Sequence, residues 1–176
     1  MKRKLSISPK KDIDCLTFVN QGKLYMGEET FMPCTPKSVV TILNSLNINL
    51  EGMDVVVIGR SNIVGKPAGA LLLKENCTVT MCHSKTKNLR EVCKRSDILV
   101  VAIGKAKFID DSFVKEGAIV IDVGTNSVQG KITGDVDFDK VIDKASFVTP
   151  VPGGVGALTT TLLMKNACEA IEKYED

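Results

Sequence analysis

Between residues 54 and 151 five short apolar runs recur, and helix-like stretches separate them. The runs are DVVVIG (54–59), TVTMC (78–82), DILVVAIG (97–104), AIVIDVG (118–124) and SFVTPV (146–151). Most are continuous in Val, Ile and Leu rather than alternating, the pattern of strands covered on both faces. PAGALLLKEN (67–76) and NLREVCKRS (88–96), which lie between them, have helical spacing. Strands that alternate with helices predict an α/β fold, a doubly wound, mostly parallel sheet.

The flanking segments read differently. KLYMG (23–27) and TFMPC (30–34) are short strand candidates and suggest a hairpin. Thr35-Pro36 then offers an N-cap followed by proline at the first helical position, with Val39, Val40, Leu43 and Leu46 as the apolar stripe. The chain closes with a glycine-rich loop and a long helix carrying Leu158, Leu162, Leu163 and Ile171 at matching spacing. No internal repeat or low-complexity linker is visible.

The exit of the first apolar run reads VIGRSNIVGKP (57–67). A strand that runs through a glycine turn into a helix presents free backbone N–H groups to an anion. Gly59 permits the turn, Ser61 supplies a hydroxyl, and Gly65 allows close approach at the helix start. The spacing is G-x-S-x-x-x-G, so the usual dinucleotide fingerprint G-x-G-x-x-G is not met. NAD-preferring units of this Rossmann-like class carry a carboxylate near the end of the second strand. Here that position reads Cys82-His83-Ser84-Lys85-Thr86. A hydroxyl and a cation there, with Arg60 nearby, suit a ribose 2′-phosphate and favour NADP over NAD. Asp122, at the end of the fourth run, is expected to anchor its turn rather than to act in catalysis.

The remaining composition mainly excludes. Lys and Arg number 23 and Asp and Glu 21, a net charge of +2, too small for a nucleic-acid surface. No run approaches the roughly 20 apolar residues of a membrane span. The basic start MKRKLSISPKK lacks the apolar core of a secretory signal. Six cysteines without a C-x-x-C, and a single histidine, His83, argue against a zinc site and for a reducing, cytoplasmic setting. No metal is expected.

Eight segments, in order, carry a resemblance that covers the chain from about Ile7 onward: KDID (11–14), FMPCTPKS (31–38), VVVIGRSNIVGKP (55–67), CHSKT (82–86), VVAIGK (100–105), GAIVIDVGTN (117–126), GDVDF (134–138) and TPVPGGVGALT (149–159). The chain resembles the bifunctional methylenetetrahydrofolate dehydrogenase/methenyltetrahydrofolate cyclohydrolases. The resemblance implies an NADP-dependent oxidation of 5,10-methylenetetrahydrofolate followed by hydrolysis to 10-formyltetrahydrofolate, in a cleft between two domains. It places Gly59, Arg60, Ser61 and Ile63 in the cofactor loop, Arg60 and Ser84 at the 2′-phosphate, and Thr125 at the nicotinamide end. It assigns Asp14 to the folate's pterin ring and the loop with Pro152, Gly153 and Gly154 to the border between folate and nicotinamide. The chain departs from the family pattern at Cys15, Ser38, Thr125 and Ala157, where glycine, glycine, isoleucine and proline are usual.

The resemblance also implies a division of the chain. Residues 1–34 read as a remnant of the folate-binding domain with its connecting segment, and 35–176 as the NADP-binding domain with linking helices. The family's first domain, with its catalytic lysine in Y-x-x-x-K, would precede KDID; no Y-x-x-x-K occurs in the 176 residues. No catalytic residue is therefore assigned, and the chain by itself is expected to be inactive. Three readings stand at this point: the cofactor-binding portion of the folate enzyme, a binding module or half of a split enzyme, and a different Rossmann dehydrogenase. Folate is expected only with the first domain supplied. The apolar helix stripes would lose part of their cover without it, so a homo-oligomer or a complex with a separate first-domain chain is expected.

Overall fold

Neighbouring residues of a buried strand point to opposite faces of the sheet, and here both faces are covered. The computed structural model describes residues 7–174. Its strands are β1 (Asp54–Ile58), β2 (Thr78–Cys82), β3 (Ile98–Val101), β4 (Ile119–Asp122), β5 (Asn126–Val128), β6 (Lys131–Thr133) and β7 (Phe147–Val148). Val56, Ile58, Leu99, Val101 and Val120 join one core cluster, whereas Val55, Val57, Ile98, Val100, Ile119 and Ile121 join another. Each fully buried aliphatic side chain contributes about 1.5–3 kcal/mol, so the two clusters are the main stabilising term.

Five strands form one parallel sheet in the order β2-β1-β3-β4-β7, with Val55 level with Ile98, and Ile98 with Ile119. The helices are α1 (Phe18–Met26), α2 (Cys34–Ser45), α3 (Gly65–Lys74), α4 (Leu89–Cys93), α5 (Phe138–Val141) and α6 (Val155–Tyr174). Val39 and Leu43 of α2, Leu72 of α3 and Val155 of α6 cover one face. Cys93 of α4, Val141 of α5 and Phe113 of the short 3-10 turn Asp111–Phe113 cover the other. The predicted fold class is what the chain adopts. Strand order reverses between β1 and β3, so the cleft of this sheet lies beyond the carboxyl ends of those strands.

The flanking segments correct the sequence reading. Lys23–Met26 belong to α1, and residues 30–33 form no strand, so the expected hairpin is absent there. The helix wins because Thr17 caps its start, accepting from the Asn20 amide, and Gly27 ends it in the left-handed region at φ 75°. α2 begins one residue before Thr35, so Thr35 is not its cap. The cap comes instead from Asp14, 20 residues earlier, whose Oδ1 accepts from the Cys34 amide at 2.7 Å. A hairpin does exist, β5–β6, where the sequence suggested none. The α2 stripe is buried on the sheet, with Val39 and Leu43 fully enclosed. In α6, Leu162 is buried whereas Leu163 and Ile171 are exposed.

The two ends of the chain meet at Asn166 of α6, which is fully buried. Its Nδ2 donates to the carbonyls of Ile13 at 2.8 Å and Met32 at 3.3 Å, and its Oδ1 accepts from Lys37 Nζ at 3.1 Å.

Candidate nucleotide-binding site

The loop after β1 is packed too closely for any residue but glycine at its first position. Gly59 has φ 134°, and a Cβ there would overlap the carbonyl of Ala102. Its amide donates to Cys82 O, tying the loop to the end of β2. Ser61 Oγ accepts from the amides of Val64 and Gly65 at 3.1 and 3.3 Å, capping the start of α3. That leaves its O–H free to donate. Among the described residues, the amides of Arg60, Ser61, Asn62 and Ile63 have no protein acceptor. A row of unpaired N–H groups at a helix start is the donor set an anionic diphosphate needs.

A cavity of about 410 Å³ opens beside this loop, at the carboxyl ends of β1, β2 and β3. Gly59, Arg60, Ser61 and Ser84 all line it, so four of the six predicted cofactor residues share one space. Ile63 is exposed, and Thr125 is exposed in the turn between β4 and β5; neither lines this cavity. Gly153 and Gly154 line a second cavity of about 470 Å³ with the end of α2 and the start of α6, and Pro152 is exposed next to them. Asp14 lines neither cavity; it lies at the other end of α2 as that helix's cap. Asp12 of the same KDID segment is buried. Burial pushes its carboxyl up, but bonds from the Leu16 and Thr17 amides and Asn20 Nδ2 outweigh that and hold it below its usual range.

Two buried aspartates behind the cleft set the positions of its loops. Asp135 accepts from the amides of Ile103, Gly104 and Lys105 at 2.7, 2.9 and 2.7 Å, and from Asn126 Nδ2 at 2.9 Å. The sequence reading missed it; the GDVDF segment was the only signal. Asp122 in turn accepts from the amides of Gly124, Asp135 and Val136. This is the anchoring expected of it, extended to a second segment. The two carboxylates leave no room beside them: a Cβ on Gly134 would overlap Asp122 Oδ2. Burial, and then the charge of Asp135, push the Asp122 carboxyl up to about 6 against the three amide bonds.

The buried thiols offer no nucleophile. All six cysteines are unpaired, and five are buried. Burial first, then nearby carboxylates, push Cys15 and Cys34 up to about 12, which keeps them protonated. Among the described residues no group of three or more His, Cys, Asp or Glu is placed to hold a metal. No helix among them is long and apolar enough to cross a membrane.

Residues 33–175 match the family described as tetrahydrofolate dehydrogenase/cyclohydrolase, NAD(P)-binding domain. The chain belongs to this tetrahydrofolate dehydrogenase/cyclohydrolase family. A curated relative, the bifunctional protein FolD of Clostridium botulinum, is 75% identical over 170 residues, covering 97% of this chain and 60% of its own length. A FolD structure from Campylobacter jejuni superposes with a TM-score of 0.94 at 45% identity, over 97% of this chain and 61% of that one. The Trypanosoma brucei dehydrogenase-cyclohydrolase, solved with NADP cofactor and inhibitor, superposes with a TM-score of 0.91 at 38% identity, over 98% and 62%. The chain thus spans about 60% of the length of the curated relatives it matches, and that part includes the family's NAD(P)-binding domain.

Proposed function

We propose that this chain binds NADP in the cleft at the carboxyl ends of β1 to β4, and supplies the cofactor half of a methylenetetrahydrofolate dehydrogenase/methenyltetrahydrofolate cyclohydrolase. The observation that carries the reading is the shared cavity of Arg60, Ser61 and Ser84 beside four unpaired amides. The amides of residues 60–63, with Gly59 giving access, hold the diphosphate. The guanidinium of Arg60 and the hydroxyl of Ser84 hold the 2′-phosphate. Thr125 borders the nicotinamide end. A bound NADP would supply the hydride acceptor for the folate's methylene carbon. Asp14 and the Pro152–Gly154 loop meet the folate. Residues 1–34 then end the folate-binding half, and 35–176 form the cofactor half.

Titration calorimetry with NADP and NAD tests this reading. A charge-assisted contact contributes roughly 1.5–3 kcal/mol, so NADP is expected to bind more tightly and Arg60→Ala to narrow the preference by about tenfold or more. Equal affinities for the two cofactors in the unmutated chain refute the assignment. The 176 residues assayed alone are expected to bind NADP without oxidising methylenetetrahydrofolate or hydrolysing the methenyl form. No Y-x-x-x-K lies within them, and substrate positioning needs an opposing wall. Turnover by the purified 176-residue chain overturns that expectation.

The unpaired thiols suit a reducing, cytoplasmic setting. We also propose a homo-oligomer. β2 is an edge strand, and beside it lies a cavity of about 800 Å³ lined by Leu24, Tyr25, Leu73, Val79 and Met81, among others. An edge strand next to apolar surface favours pairing with a second copy.

A further inference from the structure

One part of the 410 Å³ cavity carries no predicted site residue. Besides the β1 loop, the ends of β1 and β3, and His83, Ser84 and Thr86 after β2, it is lined by Leu89, Ile103, Lys105 and Phe108. Phe108 is 43% exposed, although the backbone around it is held. The amides of Lys105 and Ile109 donate to the side chain and carbonyl of Asp135, and the Lys107 amide donates to Gly134 O. The ring is braced by Phe113, with centroids 5.8 Å apart and planes tilted by 48°. Lys105 Nζ lies 5.2 Å from the Phe108 centroid. The result is a flat apolar surface, fixed by its backbone and lining a cavity, with the Lys105 ammonium over it.

The chemistry of the cofactor says what falls there. In adenosine 2′-phosphate the phosphate and the base hang from adjacent ribose carbons. If Arg60 and Ser84 hold the phosphate, the base must lie in the same cavity. Beyond the strand ends, the apolar surface in that cavity is Leu89, Ile103 and Phe108. Two rings line it, His83 and Phe108; the His83 imidazole is polar and its Nδ1 already accepts from the Lys85 amide, which leaves Phe108 as the apolar aromatic face. We propose that Phe108 is the platform on which the adenine ring stacks, with Lys105 shielding that face until the base arrives. Every base has a π-face, so such a platform raises affinity for any adenine nucleotide without selecting NADP over NAD.

This proposal rests on the cavity being the cofactor site; failure of the unmutated chain to bind NADP would refute that reading, whereas the measurements on Phe108 address the platform alone. Base stacking on an aromatic side chain is lost on truncation to alanine at a cost of about tenfold in affinity. Phe108→Ala is therefore expected to weaken NADP, NAD and 2′,5′-ADP by about tenfold each in calorimetry, with the NADP/NAD ratio unchanged. The chain contains no tryptophan, so Phe108→Trp introduces a single emitter at the platform. Its emission is expected to be quenched by 2′,5′-ADP, with the half-saturation seen by calorimetry. This second variant decides the matter if Phe108→Ala fails to fold. The proposal is overturned by a folded Phe108→Ala with unchanged affinities, by a loss confined to NADP, or by Trp emission that does not move at saturation.

Discussion

Asp122 and Asp135 show how a single side chain sets the shape of this cleft. Asp135 fixes the backbone of residues 103–105 beside the cavity, and Asp122 fixes Asp135. The folded state holds the Asp122 proton more tightly than the unfolded chain, whose ordinary value is 3.8, because the folded value is about 6. Between these values stability falls as pH rises, by about 3 kcal/mol in total at roughly 1.4 kcal/mol per unit. Asp12 acts with the opposite sign: its stabilising bonds are present above its ordinary value and are lost as pH falls below it. A carbon-13 titration of the Asp122 carboxyl separates the two, with a midpoint near 6 expected; a midpoint below 4 contradicts the assignment. Gly134→Ala forces a methyl group into Asp122, and is expected to destabilise by about 3 kcal/mol or more in urea unfolding. Asp122 was legible in the sequence as an anchor because it ends an apolar run. Asp135 was not, since the backbone amides it holds lie 30 to 32 residues away and only the fold brings them together.

Among the elements, the buried strands were easiest to read. Val and Ile runs covered on both faces have no competing explanation, and β1, β3 and β4 fall inside the predicted runs. The β5–β6 hairpin escaped because its strands are three residues long and mostly exposed. Its two-residue turn places Gln129 at φ 50° and Gly130 at φ 78°, the geometry that favours Asn-Gly. Gln129→Asn is therefore expected to stabilise by about 0.5–1 kcal/mol, measured as a shift in the denaturant midpoint; no shift would mean the turn relaxes freely. The α1 region was misread because a five-residue window cannot separate helical from strand periodicity. The α2 cap was misplaced because its acceptor, Asp14, is distant in sequence. Asp14→Ala removes that cap and is expected to cost about 0.5–2 kcal/mol, whereas Thr35→Ala should lose no cap contribution. Denaturant unfolding of the two variants compares them directly, and equal losses would count against the distant cap.

At the scale of the whole molecule, the edge strand and the surface next to it are the proposed seat of association. Leu73 is 64% exposed at the rim of the large cavity. Leu73→Glu is expected to convert a dimer to a monomer in light scattering at micromolar concentration, whereas Met164→Glu, on the exposed side of α6, leaves the dimer intact. A monomeric unmutated chain sinks the edge-pairing proposal, and dissociation by Met164→Glu alone moves the contact to α6. Leu162 is unsuited to this test, being buried; its spacing in the sequence did not reveal which side of the stripe the sheet would cover. The contact at Asn166 has a different consequence, in time rather than in space. During synthesis the carbonyl of Ile13 waits 153 residues for its donor, whereas β1 to β4 can pair as soon as each crossover is complete. Contacts so distant in sequence form late, so a nascent chain halted before residue 166 would carry a formed sheet behind a leading segment still open to proteases.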